Sequence, residues 1–280
     1  MVFFQYAGGK STMLQYILPI IPKHKAYIEP FFGSGIVFWN KPPSNLSVIN
    51  DINLNLYSFW KELKENTKEL IDRLQSIMYH RHEFDKAKKD LLDDNASRMD
   101  KALAVFICYN QSFAGKGETW GYGNSGKNEN RRTSARSNSN DTLYRKIENI
   151  SNNIKEIEQR LKWTQVECRD VMKILETYYD KGDTSLLYLD PPYIDAGNGH
   201  YEGKYTEYDL INMLDLLGEC NCRFILSNYK HSLIDEYIAK LGWNSIEVDR
   251  VLAVSANNPK INRSAKEIIV YNYTLENTLF

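Results

Sequence analysis

No apolar stretch of this sequence approaches the roughly 20 residues that span a bilayer, although 42% of its 280 residues are hydrophobic. The N-terminus, Met1-Val-Phe-Phe-Gln-Tyr, has neither a basic region nor a long apolar core, so no signal peptide is expected. These absences predict a soluble, cytoplasmic chain. Cysteine is scarce: Cys108, Cys168, Cys220 and Cys222 form no Cys-x-x-Cys pair, and the five histidines have no ligand spacing. No metal site is therefore expected. Cys220 and Cys222 lead into an apolar run and read as buried thiols of a strand. Charge bias is missing too, with 35 basic against 36 acidic residues and a net charge of −1. Attraction to nucleic acid must come from a local basic surface, not a global field.

What remains is an ordinary globular composition with enough length for one large or two modest domains. The first sixty residues alternate helix and strand. Ser11 can cap a short helix carrying Met13, Leu14, Ile17 and Leu18, which Pro19 should stop. Ala26–Pro30 and Leu46–Asp51 read as parallel strands of a βαβ unit. From Ser58 to Ile107 the pattern is helical, with Leu70, Ile71, Leu74, Ile77 and Met78 on one face. Gln111 to Asn140 is polar and aperiodic. Asp141 then opens a helix with Leu143, Ile147, Ile150, Ile154, Ile157 and Leu161 in register. The α/β alternation returns at Thr164–Asp170, and Leu186–Leu189 is a buried-type strand. Thr206 and Asp209 form a capping box for a helix closing at Gly218. Cys222–Ser227 is a further strand, and a helix follows it to near Gly242. Ile246–Val251 and Glu267–Tyr273 should pair as a hairpin with a long connection. The fold class is thus α/β, one sheet built from both ends of the chain. Residues 1–57 and 162–280 form the sheet domain, and 58–161 a mainly helical insertion.

Asp190-Pro191-Pro192-Tyr193 follows an apolar strand, where open α/β sheets bind ligands. Two prolines fix the backbone, so the carboxylate of Asp190 and the carbonyl of Pro191 can accept both protons of a flat amine while Tyr193 stacks on its plane. The alternative is a plain strand-ending turn beside a core tyrosine. In Glu29-Pro-Phe-Phe-Gly-Ser-Gly35 the glycines let a ligand approach the backbone. The third glycine of a dinucleotide fingerprint is replaced by Phe38. Asp51, 16 residues past Gly35, is placed to accept ribose hydroxyls, which suits an adenosine ligand without a diphosphate. Gly9-Lys10-Ser11 ends like a P-loop, but the first glycine position holds Phe4, so an NTPase is not expected. Lys10 suits a carboxylate or phosphate; a solvated surface lysine is the alternative. From Gln111 to Lys146 seven basic residues face three acidic ones, an excess of +4. Arginines among Ser, Thr and Asn there suit phosphate and guanine contacts.

Three segments together, Tyr6-Ala-Gly-Gly-Lys-Ser11, Glu29–Gly35 and Asp190–Tyr193, resemble the Dam-type DNA N6-adenine methyltransferases in kind, order and spacing. The resemblance covers the sheet domain at both ends of the chain. It implies a Rossmann-like S-adenosylmethionine-dependent methyltransferase sheet with 58–161 as an inserted DNA-recognition domain. It implies S-adenosylmethionine contacts from Tyr6, Lys10, Phe32, Gly33, Ser34, Gly35, Asp51 and Asp190, with Asp170 on the cofactor's adenine amino group. Asp183, in a Lys-Gly-Asp-Thr turn, reads as surface. Asp190, Pro191, Pro192 and Tyr193 are then the catalytic set, acting on an adenine flipped out of double-stranded DNA. The loop from Ile194 to Tyr205 could close over that base. Lys116, Lys127, Arg131, Arg132 and Arg136 become the DNA contacts, and a monomer without an obligate protein partner is expected. The same amine slot would admit the N4 of cytosine, although the acidic Asp190 favours adenine; a catalytically silent DNA binder is the further alternative.

Overall fold

The computed structural model describes residues 1–6, 10–121, 140–194, 205–251 and 264–275. Seven strands are present among them: β1 (Ala26–Glu29), β2 (Leu46–Asn50), β3 (Thr164–Glu167), β4 (Ser185–Leu189), β5 (Arg223–Tyr229), β6 (Asn244–Val251) and β7 (Ser264–Tyr271). They form one sheet in the order β3-β2-β1-β4-β5-β7-β6. The chain folds into two compact units, 1–18 with 33–43 and 51–168, and 19–32 with 44–50 and 169–280.

In the second unit β2, β1, β4 and β5 run parallel, and β7 is antiparallel to both β5 and β6. Register sets the core. Ile28 lies between Val48 and Leu187, and Leu226 pairs with Leu189 on one side and Val270 on the other. Side chains alternate faces along a strand, so this row shares one face. It packs with Ile174 and Leu175 of α9 (Val171–Tyr178), Leu210, Met213, Leu214 and Leu217 of α10 (Glu207–Gly218), and Ile234 of α11 (Ser232–Leu241). The opposite face buries Tyr27, Tyr188, Ile225 and Ile269. A sheet covered on both faces explains why every residue of β4 is buried. The Thr206–Asp209 capping box forms as expected, with both reciprocal bonds present. Cys220 and Cys222 stand in the turn before β5 instead of within a strand, and only Cys222 is buried.

The first unit is helical. The single helical region expected over 58–107 is four helices: α3 (Leu54–Glu65), α4 (Thr67–Gln75), α5 (Arg81–Leu92) and α6 (Arg98–Gln111). Asn53 and Ser97 cap α3 and α6 with side-chain oxygens. Leu70, Ile71, Leu74 and Ile77 are buried, but Met78, beyond the end of α4, is exposed. The next periodic run is α7 (Asn140–Asn152) and α8 (Ile154–Lys162), separated at Asn153, with Leu143, Ile147, Ile150, Ile157 and Leu161 buried. Near the N-terminus, α1 (Leu14–Ile17) is not capped by Ser11. The Lys10 carbonyl instead accepts from Met13 and Leu14, and a 3-10 turn continues through Pro19. Pro19 has no N–H to continue the i→i−4 ladder, which fits the α-helix ending at Ile17 and passing into the tighter turn.

Candidate active site

Parallel strands bring their carboxyl ends to one edge, so Glu29, Asn50, Leu189 and Tyr229 end β1, β2, β4 and β5 on the same side of the second unit. Asn50 ties the loops there. Its amide donates to the carbonyls of Pro30 and Arg169 at 3.0 Å each, and its oxygen accepts the Arg169 N–H at 2.9 Å. The Phe32 N–H donates to the Asn50 carbonyl at 2.9 Å, and the Phe32 side chain is buried.

In the first unit the glycine turn is held from below by an acid. Gly33 and Gly35 have φ of 49° and 63°, a region that costs a side-chain-bearing residue but not glycine. Gly35 is the residue before α2 (Ile36–Asn40). The Gly33 N–H donates to Asp51 Oδ2 at 2.8 Å, and the Asn53 N–H donates to Oδ1 at 2.9 Å. The Trp60 indole N–H donates to the Gly33 carbonyl at 3.0 Å. A Cβ added at Gly33 would meet the Tyr6 ring at 3.2 Å, so Tyr6 lies directly on the turn. Asp51 keeps some surface, but its carboxyl group is deep, and burial pushes its pKa up to about 6 against the pull of the two amides. Ser34 is buried. Lys10 is buried too, which removes the solvated-lysine reading. Tyr109 stacks on Phe4 and sets its edge to Tyr6, at centroid distances of 5.5 and 5.1 Å. Burial, with Asp51 nearby, pushes its hydroxyl to about 12.

In the second unit Asp190 follows β4 directly and is half-buried, while Pro191 is buried. Tyr193 is 9% exposed, and its hydroxyl donates weakly to Asp190 Oδ1 at 3.4 Å. Its ring lies 4.1 Å from that of Tyr229, tilted by 41°. Asp170 caps α9, accepting the Met172 N–H on Oδ1 at 2.9 Å, and is otherwise exposed. Asp183 is a surface residue, 79% exposed and 4.0 Å from Arg223.

Tyr6, Lys10, Gly33, Ser34, Gly35 and Asp51 thus belong to one unit, and Phe32, Asp170 and Asp190–Tyr193 to the other. Lys116 is exposed beside a 3-10 turn over Phe113–Gly115. Lys127, Arg131, Arg132 and Arg136 lie outside the described residues, as do 195–204 of the loop after Tyr193. Sequence reasoning missed Trp60, Tyr109 and Tyr229. Only Tyr229 carried a usable signal, an aromatic at the end of an apolar strand.

The chain matches the family of D12 class N6 adenine-specific DNA methyltransferases over residues 6–254. It is 25% identical to the type II methyltransferase M1.LlaDCHI of Lactococcus lactis subsp. cremoris, over 97% of this chain and 95% of that one. Against the type II methyltransferase M.MjaIII of Methanocaldococcus jannaschii the identity is 26%, over 97% and 98% of the two chains. A 75-residue stretch is 35% identical to the DNA adenine methylase of Escherichia coli K12, covering 27% of each chain. With its sheet, its glycine turn and its Asp-Pro-Pro-Tyr end of β4, this chain belongs to the D12 class N6 adenine-specific DNA methyltransferase family, which makes it an enzyme and sets aside the cytosine and silent-binder alternatives.

Proposed function

We propose that the chain takes its methyl group from S-adenosylmethionine and places it on an adenine flipped out of double-stranded DNA. The residues fit such a donor. Each carboxylate oxygen of Asp51 accepts one amide and keeps a second lone pair, which suits the two hydroxyls of a ribose. The turn at Gly33 leaves no room for a side chain beneath Tyr6, so the Tyr6 ring packs directly on the backbone there and forms one wall of the donor site. Phe38, buried where a phosphate-binding glycine would stand, suits a nucleoside without a diphosphate. Asp170 has a second carboxylate oxygen for an adenine amino group, and Lys10 supplies a cation for a carboxylate. When bound, S-adenosylmethionine supplies a methyl group activated by a sulfonium.

The chain's own residues do the rest. An exocyclic amine of adenine is a weak nucleophile, because its lone pair is delocalised into the ring. Hydrogen bonds from its two protons to the Asp190 carboxylate and the Pro191 carbonyl favour a pyramidal nitrogen and aim its lone pair. Tyr193, held by Tyr229, stacks on the base. Catalysis of this kind is positioning and electrostatics. The amine is unreachable inside a duplex, which is why the base must leave the stack. Residues 58–161 form the recognition domain in this reading, with Lys116, Lys127, Arg131, Arg132 and Arg136 on DNA, and the enzyme acts as a monomer. The observation that carries the proposal is Asp190 fixed at the carboxyl end of β4 ahead of a buried Pro191. Nucleoside mass spectrometry of unmethylated DNA, incubated with and without S-adenosylmethionine, tests it. N6-methyladenine that depends on the donor and disappears in Asp190→Ala, while DNA binding persists, is the expected result. No methylated base with the wild type, or full activity of Asp190→Ala, would overturn it.

A further inference from the structure

Lys146 belongs to the basic stretch by sequence, yet it turns inward from α7. Its ammonium donates to Asn110 Oδ1 at 2.5 Å. The Asn110 amide nitrogen donates in turn to the carbonyls of Phe3 at 3.1 Å and Phe106 at 2.9 Å. Asn110 is 5% exposed, and burial pulls the Lys146 pKa down to about 8. Placing an ammonium here is costly, and an apolar side chain of similar length would fill the space without that cost. What the ammonium adds is orientation. A primary amide can sit either way round, and only the rotamer with Oδ1 toward Lys146 puts both N–H groups on the two carbonyls. Phe3 opens the segment whose next aromatics, Phe4 and Tyr6, pack on Tyr109, and Tyr6 covers the turn at Gly33.

We propose that Lys146 is a positioning residue for the methyl-donor segment, acting through Asn110 and the Phe3 carbonyl, and is not a DNA phosphate ligand. The assignment rests on the donor reading of Tyr6 and Lys10 given above. Its test is equilibrium dialysis of S-adenosylmethionine, without DNA, on the wild type, Lys146→Met, Asn110→Asp and the double variant. Asn110→Asp keeps an acceptor for Lys146 but loses the donor to Phe3. Each single variant is expected to weaken donor binding about tenfold, the scale of a hydrogen bond to a charged group. The double variant should fall no further than either single one. Lys146→Arg, which retains a donor, should recover part of the affinity. In parallel, the dependence of DNA affinity on salt should keep its slope in Lys146→Met. A slope reduced by about one would mean a phosphate contact, and unchanged donor affinity in both single variants would mean a purely structural strut. Either result overturns the proposal. Absence of S-adenosylmethionine binding by the wild type itself would instead sink the donor reading.

Discussion

The carboxylate of Asp51 and the backbone N–H of Gly33 are joined by a 2.8 Å hydrogen bond across 18 residues of sequence. Through that bond the acid after β2 fixes the tightest point of the glycine turn. The same carboxylate holds the start of α3 through Asn53, whose own side chain caps that helix. One acid with a deep carboxyl group therefore braces two loops.

From this follows a pH dependence with a definite sign. The folded-state pKa of Asp51 is raised from 3.8 to about 6, with burial the largest cause. Between these values the folded chain holds a proton that the unfolded chain releases. The contribution of Asp51 to stability is therefore greatest below pH 4 and is lost as pH rises through 6, by at most about 3 kcal/mol. In the proposed donor site binding runs the opposite way, because ribose hydroxyls bond best to the ionised acceptor. S-adenosylmethionine affinity should weaken as pH falls below 6, and Asp51→Asn should be weak at every pH with a flat profile between 5 and 7. Calorimetric titration across that range decides it; an unaltered affinity at pH 5 would remove Asp51 from the donor site.

Much of the sheet was legible because β2 and β4 are apolar runs bounded by turn residues, and the capping box at Thr206 signals its own helix start. Asp190 and the glycine turn stood out for the same reason: their chemistry is local in sequence. What was hidden depends on distant packing. For Lys10 the sequence leaves a ligand contact and a solvated surface lysine both open, and only the fold buries it. Phe3 and Phe4 meet Phe59 and Trp60 across more than fifty residues, with ring centroids 5.1–5.8 Å from their partners, a pairing no local pattern encodes. The break at Asn153 was invisible because the apolar spacing of α7 carries on into α8.

Arg160 of α8 secures the end of α2, the helix that follows the glycine turn. One guanidinium nitrogen donates to the carbonyls of Phe38 and Lys41, the latter at 2.6 Å, and the guanidinium carbon lies 4.8 Å from the centre of the Phe38 ring. Arg160→Ala leaves two part-buried carbonyls without these donors, a loss of about 1–3 kcal/mol. Arg160→Lys should lose less, since an ammonium can reach a carbonyl but lacks the planar fork and the ring contact. Urea unfolding should show the midpoint falling in that order at unchanged slope. Equal midpoints for all three proteins would show that α2 is held by other means.

Tyr229 is placed by β5 so that its ring supports Tyr193 at 4.1 Å, and Tyr193 in turn stands three residues from Asp190. Aromatic pairs of this kind contribute about 0.5–1.5 kcal/mol beyond the area they bury. Tyr229→Ala removes that support and loosens Tyr193, so in the proposed reaction the stacking surface for the flipped base is less firmly pre-set. If the base meets Tyr193 only after leaving the duplex, as proposed above, the loss should appear in kcat, by about tenfold, and little in the affinity for S-adenosylmethionine. Tyr229→Phe keeps the ring contact and should stay within a few-fold of wild type. A fluorescent base analogue at the target position gives the independent reading: with Tyr229→Ala, flipping should leave the analogue brighter, because a disordered Tyr193 quenches it less. A tenfold loss of kcat with unaltered fluorescence would place Tyr229 in the chemical step and not in base stacking.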